Sequence, residues 1–194
     1  MGILFTLLGV TNTGKTTQQK LLEERLRAEG YRVAYVKYPV YDLIPTGPRI
    51  NAYLRQGNPE GISPREFHEL QVENKKDFAL ELERLLAEND IVLAEMYTGT
   101  GIAYGMGDGF EKSWLVAEND SLRTADLSIL LDGARFLESR ETGHHFENDD
   151  EKTERIRLAH LELAKDFGWE VVQANQTIPE VHEEIYSRVK KLLA

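Results

Sequence analysis

One octapeptide constrains this chain more than any other feature. Gly9-Val10-Thr11-Asn12-Thr13-Gly14-Lys15-Thr16 has the form G-x-x-x-x-G-K-[ST]. It follows a short, continuous apolar run, Ile3 to Leu8, and opens a segment of helical composition, Lys15 to Glu29, that stops at Gly30. The spacing has a mechanical reason. The glycines let backbone N–H groups curl around a phosphate, and the helix N-terminus adds the positive end of its dipole. Lys15 can reach the β- and γ-phosphates, and the Thr16 hydroxyl can ligate Mg²⁺. A strand, a glycine loop and a helix in this order read as a site for a nucleoside triphosphate.

The rest of the chain alternates strand-like and helix-like segments. Strands are expected over Tyr31 to Val36, Ile91 to Ala94, Leu127 to Leu131 and Trp169 to Val172. Pro39 to Pro48 holds three prolines and reads as loop, followed by a short helix from Arg49 to Arg55. Ser63-Pro64-Arg65-Glu66 reads as an N-cap, a proline at the first helical position and a capping glutamate. The helix it starts is expected to run to about Ala87. Residues 98 to 109 carry five glycines and read as loop at both ends. Lys112 to Arg123 and Glu154 to Phe167 read as helices. So does Ile178 to Leu193, where Ile178, Val181, Ile185 and Val189 step by three or four. Strands separated by helices imply an α/β fold of three layers, a five-stranded parallel sheet with helices on both faces, with ligands at the carboxyl ends of the strands. The length, 194 residues, fits a single domain over the whole chain.

Composition excludes several functions. There are no cysteines, so no disulfide framework, thiolate metal site or cysteine nucleophile exists, and a reducing compartment, the cytoplasm, is the expected setting. The net charge is −10, a poor match for a nucleic-acid or anionic-membrane binder. Any phosphate must be held by a local cationic pocket. No run approaches the length of a membrane span. Gly2 and Thr6 match a myristoylation pattern, but a buried first strand explains Met1 to Val10 more simply. Residues 138 to 154 are rich in acidic side chains, with His144-His145 among them and few apolar groups, and read as a solvated, mobile lid. The adjacent histidines do not share a helix face and do not read as a metal pair.

In sum of its motifs the chain resembles the thymidylate kinase family of P-loop nucleoside-monophosphate kinases. Gly14-Lys15-Thr16-Thr17-Gln18, Tyr38-Pro39, Ala52-Tyr53-Leu54 before Gly57, Thr100-Gly101-Ile102-Ala103-Tyr104, Leu130-Leu131-Asp132, Arg155-x-Arg157 and Leu161-Glu162-Leu163-Ala164 look like that family's segments, in order, over nearly the whole chain. The resemblance implies phosphorylation of a deoxynucleoside monophosphate, dTMP first, with ATP and Mg²⁺, by a homodimer. It assigns ATP to Gly9, Thr11, Asn12, Thr13, Gly14, Lys15, Thr16 and Thr17, with Asn175 in the turn that meets adenine. The acceptor falls to Pro39, Arg49, Gln71, Lys75, Tyr97, Thr100, Gly101 and Tyr104.

The departures fall where the chemistry lies. The family's third strand is followed by Asp-Arg-Tyr; here the residues are Glu95-Met96-Tyr97. The arginine that clamps both nucleotides is a methionine. Glu95, at the sheet's carboxyl edge, can hold the Mg²⁺ shell with Thr16 or orient an acceptor. Lys15, Glu95 and a replacement cation then carry catalysis. Arg140, at the start of the lid segment, is the first candidate for that cation, and Arg155 and Arg157 follow. Gln71 has an amide able to pair with a pyrimidine edge, and Tyr104 can leave no room for a 2′-hydroxyl. Two rivals stand beside dTMP kinase: a kinase for a deoxynucleoside or another deoxynucleotide, and a nucleotide-binding protein that has lost transfer.

Overall fold

The computed structural model describes residues 1–134 and 150–193. Five strands, β1 (Ile3–Leu8), β2 (Val33–Lys37), β3 (Ile91–Glu95), β4 (Leu127–Asp132) and β5 (Glu170–Gln173), form one sheet in the order β2-β3-β1-β4-β5. Every neighbouring pair is parallel. The chain leaves central β1 toward one edge and later crosses to the other, so the carboxyl end of β1 lies at the switch point, where ligands bind. β1 alternates its contacts as a pleated strand must. Phe5 and Leu7 join a core with Leu22, Leu26, Val181, Ile185 and Val189, whereas Leu4 and Leu8 enter cores on the opposite face.

The eight helices among the described residues are α1 (Lys15–Ala28), α2 (Thr46–Arg55), α3 (Pro64–Asp77), α4 (Ala79–Glu88), α5 (Thr98–Gly107), α6 (Lys112–Asn119), α7 (Asp150–Phe167) and α8 (Ile178–Leu193). The Ser63 capping box forms as its residues imply: the Ser63 hydroxyl accepts from the Glu66 N–H at 3.2 Å, and the Glu66 carboxylate accepts from the Ser63 N–H at 2.7 Å.

Three expectations need correction here, and a fourth falls largely outside the described residues. The long helix expected from Pro64 to about Ala87 is two helices, interrupted at Phe78, whose ring meets Tyr38 edge-on at 5.9 Å. The loop expected up to Pro48 ends sooner, because α2 starts at Thr46. Pro48 lies in its first turn, where a missing N–H costs no helical bond. The helix expected from Lys112 to Arg123 closes at Asn119, whose side-chain amide donates to the Leu115 carbonyl at 2.8 Å. The lid expected over 138 to 154 lies outside the described residues up to 149; Asp150 to Glu154 form the start of α7.

The largest correction is the glycine-rich stretch, which is helix α5 rather than loop. Its glycines serve packing. A Cβ on Gly99 would stand 2.5 Å from the Trp169 ring, one on Gly105 2.4 Å from Leu115, and one on Gly107 2.3 Å from Ile156. The absent side chains let α5 seat against α6, α7 and the loop before β5. That seating sets the position of Thr100, Gly101 and Tyr104.

Two effects therefore compete at Gly99. Helix propensity favours alanine by about 0.8–1 kcal/mol, while overpacking costs about 1–3 kcal/mol. With Trp169 and Leu8 both within 3.0 Å of the added methyl, Gly99→Ala is expected to lower the urea midpoint. A raised midpoint would mean that close approach does not hold α5.

Candidate active site

The glycine loop takes the backbone its composition permits. Gly9 has φ +136°, and a Cβ there would lie 2.6 Å from the Leu131 carbonyl. Gly14, at φ +89°, is the N-cap of α1 and offers no capping side chain, so the first-turn N–H groups remain available to an anion. Lys15 is 4% exposed, and its ammonium donates to the Val10 carbonyl at 2.6 Å; the Thr13 hydroxyl donates to the same oxygen at 3.0 Å. Thr11 to Gln18 form one wall of a cavity of about 570 Å³, with Ala174, Gln176 and Thr177 at one end and Lys37, Glu95 and Met96 at the other.

Glu95 closes the carboxyl end of β3. Register sets its surroundings: Glu95 pairs with Leu7 of β1 and with Lys37 of β2. Two residues before Lys37, Tyr35 points to the same face. The Glu95 carboxylate is 2% exposed and accepts from the Thr16 hydroxyl at 3.1 and 3.2 Å and from the Tyr35 hydroxyl at 2.7 Å. The Lys37 ammonium lies 3.1 Å from it. Burial, then the neighbouring carboxylate, push the Tyr35 phenol up, so it stays a donor. The Thr16 hydroxyl and the Glu95 carboxylate are adjacent hard oxygen donors, the chemistry that suits Mg²⁺. Among the described residues no group of three or more His, Cys, Asp or Glu gathers to hold a metal. Tyr35 and Lys37 are absent from the sequence reading, which ended the second strand at Val36. Their period-two spacing on a strand beside Glu95 is the signal that could have found them.

A second cavity, of about 140 Å³, shares Thr11, Lys37 and Met96 with the first. Pro39, Gln71, Thr100, Gly101 and Tyr104 line it, as do Leu54, Phe67 and Arg55. Among the described residues the Thr100 hydroxyl is buried without a hydrogen-bond partner. Tyr104 meets His160 edge-on at 6.2 Å, and burial lowers the His160 pKa to about 4, leaving it a neutral wall. The Arg55 guanidinium lies 5.0 Å over the Tyr41 ring. Met96 has φ +61°, left-handed and costly for a residue other than glycine.

Several predicted site residues stand elsewhere. Arg49 donates to Glu60 at 2.8 Å on the surface, and Arg55, one turn and a half later on the same helix, is the cavity's α2 cation. Tyr97 is 2% exposed in the core beside Tyr38, at 5.0 Å between ring centroids, and burial raises its phenol pKa to about 12. Asn175 is held by the backbone of Ala134, whose N–H donates to its side-chain oxygen at 2.7 Å; its neighbours Ala174, Gln176 and Thr177 line the cavity instead. Arg157 makes a bidentate pair with Asp132 at 2.6 and 2.8 Å, and Arg155 donates to the Gly107 carbonyl at 3.4 Å. Arg140 lies outside the described residues. Lys75 is 4% exposed and donates to the Gln71 carbonyl at 3.0 Å. It borders a void of about 10 Å³, not the acceptor-side cavity.

The model of the thymidylate kinase family matches residues 8–185. The chain belongs to that family. A probable thymidylate kinase of Pyrococcus horikoshii is 28% identical over 199 residues, covering 97% of this chain and 96% of its own. Human thymidylate kinase is 26% identical over 191 residues, covering 95% and 88%. The solved thymidylate kinase of Candida albicans matches with a TM-score of 0.84 over 98% of this chain and 92% of its own, at 22% identity, a likeness of fold. This thymidylate kinase family member carries methionine and tyrosine after Glu95 where the resemblance places arginine and tyrosine. The tyrosine serves the core, and the methionine stands where the two cavities join.

Burial lowers the Lys75 pKa to about 8. In the unfolded chain it lies near 10.4. The unfolded state therefore holds the extra proton between about pH 8 and 10.4, and stability contributed by this group rises with pH across that window. Below it the penalty is constant. Lys75→Met is expected to be more stable than the parent at pH 7, by roughly 3 kcal/mol at most, and to lack this rise. Urea unfolding at pH 7, 8.5 and 10 measures it; equal slopes in both proteins would contradict a desolvated ammonium.

Proposed function

We propose that this chain, as one kinase domain over residues 1–194, transfers the γ-phosphoryl group of ATP to the 5′-phosphate of dTMP, yielding ADP and dTDP. One observation carries the reading: a glycine-loop cavity and a smaller aromatic-walled cavity meet at Thr11, Lys37 and Met96. Two nucleotides laid in these cavities present their phosphates to each other. Phosphoryl transfer asks chiefly for alignment and for cancelled charge, and the residues supply both. The loop N–H groups and α1 hold the β-phosphate, and Lys15 exchanges the Val10 carbonyl for phosphate oxygens. Thr16 and Glu95 are the residues that would hold Mg²⁺, which when bound would supply positive charge against the polyphosphate. On the acceptor side, the Gln71 amide can donate to a thymine carbonyl and accept from its N3–H. Tyr104 closes the space beside the deoxyribose, and the unpartnered Thr100 hydroxyl offers a further hydrogen bond.

A deoxynucleoside kinase would need a carboxylate against the acceptor hydroxyl. Glu95 lines the donor cavity only, which favours a monophosphate, an acceptor that arrives deprotonated and needs no base. We further propose a homodimer in the cytoplasm. The family resemblance supports the first, and the lack of cysteine is consistent with the second. Among the described residues no helix is long and apolar enough to cross a membrane.

A coupled assay of ADP release over the four deoxynucleoside monophosphates and four deoxynucleosides tests the reading. The highest kcat/KM is expected for dTMP. Lys15→Ala should lose on the order of 10²–10³ in turnover, as when a group aimed at developing charge is removed, and keep its thermal midpoint. Release with a nucleoside alone, or normal turnover by Lys15→Ala, would sink the proposal.

A further inference from the structure

We propose that Lys37 is the cation that neutralises the transferring phosphoryl group, taking from β2 the charge that position 96 does not provide. The inference rests on the phosphotransferase reading above and deepens it. In the transfer, an oxygen of the acceptor monophosphate bonds the γ-phosphorus, the bond from that phosphorus to the β–γ bridging oxygen breaks, and its electron pair stays on ADP. Charge on the three equatorial oxygens peaks where the donor and acceptor cavities meet. Three of the described residues line both cavities, and Lys37 is the charged one among them.

The other cations near the two cavities are committed elsewhere. Lys15 lines only the donor cavity and Arg55 only the acceptor cavity. Lys75 faces the Gln71 carbonyl, and Arg157 is held by both oxygens of Asp132. Lys37 is different. Its side chain is 47% exposed, and among the described residues its charged partner is Glu95 at 3.1 Å. Cross-strand register holds it there: Lys37 and Glu95 are partners on one face of β2 and β3. The ammonium sits between a carboxylate of the donor site and the opening to the acceptor. A small swing of a four-carbon stem carries it onto the γ-phosphate. Lysine is a point charge with rotatable donors, suited to a group that moves between two phosphates.

The test compares Lys37→Met and Lys37→Arg with the parent, using steady-state kinetics and calorimetric binding of ADP, dTMP and an adenosine–thymidine pentaphosphate that spans both cavities. Lys37→Met is expected to lose on the order of 10²–10³ in kcat, with both KM values within about threefold. It should bind ADP and dTMP singly as before and bind the bridging pentaphosphate more weakly, by at least tenfold. Lys37→Arg should recover most of the lost turnover, and the loss in Lys37→Met confined to kcat and to the bridging ligand is what a purely structural partner of Glu95 would not predict. Turnover by Lys37→Met within threefold of an active parent overturns the assignment, as does undiminished binding of the pentaphosphate. So does a loss confined to Arg140→Met. A parent that releases no ADP with dTMP overturns the phosphotransferase reading itself.

Discussion

A carboxylate at 2% exposure needs donors around it to replace the water it has lost. Moving such a charge out of water costs several kcal/mol, and Glu95 meets that cost through three side chains on two elements: Thr16 from α1, Tyr35 and Lys37 from β2. These contacts tie the glycine-loop helix to the edge of the sheet. They also make register and function one constraint. A slip of β2 by one residue against β3 would turn Tyr35 and Lys37 to the opposite face, strip Glu95 of two donors and remove the charge from the junction of the cavities. The alternation that builds the core therefore also builds the site.

The same economy of charge runs through the molecule. A chain of net charge −10 repels the polyanions it is proposed to bind, so attraction must be local. Among the described residues the acceptor-side cavity is lined by Lys37 and Arg55 and by no carboxylate. Of the two acids that end strands here, Glu95 is covered by donors and Asp132 is covered by Arg157. Negative charge at the sheet's carboxyl edge is thus compensated before a nucleotide arrives, and the loop N–H groups are left for phosphate.

Features written in local chemistry were legible in the sequence. The Ser63 capping box, the apolar step of α8 and the glycine loop each need only a few neighbouring residues to act, and each stands where its pattern put it. What depends on distant neighbours was not legible. The glycines of α5 look like loop until Trp169, Leu115 and Ile156 are placed against them. Phe78 looks helical until Tyr38 lies beside it. At the site, chain order named the right stretches and missed side-chain direction. Arg49 and Arg55 share a helix, yet Arg49 reaches Glu60 and Arg55 reaches the cavity. Lys75 and Gln71 are one turn apart on α3, but Gln71 lines the cavity while Lys75 donates to its carbonyl.

Met96 shows why a substitution at a functional position need not be a loss. Its backbone is left-handed, at φ +61°, on the turn from β3 into α5, so whatever stands there projects between the cavities and not into the sheet. An arginine at such a point would supply both bulk and charge. Methionine supplies bulk alone, an unbranched apolar body that fills irregular space between the two cavities. Space and charge are separable demands, because phosphoryl transfer asks only that a cation lie near the equatorial oxygens, whichever strand carries it. β2 lies next to β3, and its last residue pairs with Glu95. A lysine there reaches the same junction from the side, anchored by the carboxylate that an arginine at position 96 would have had to share.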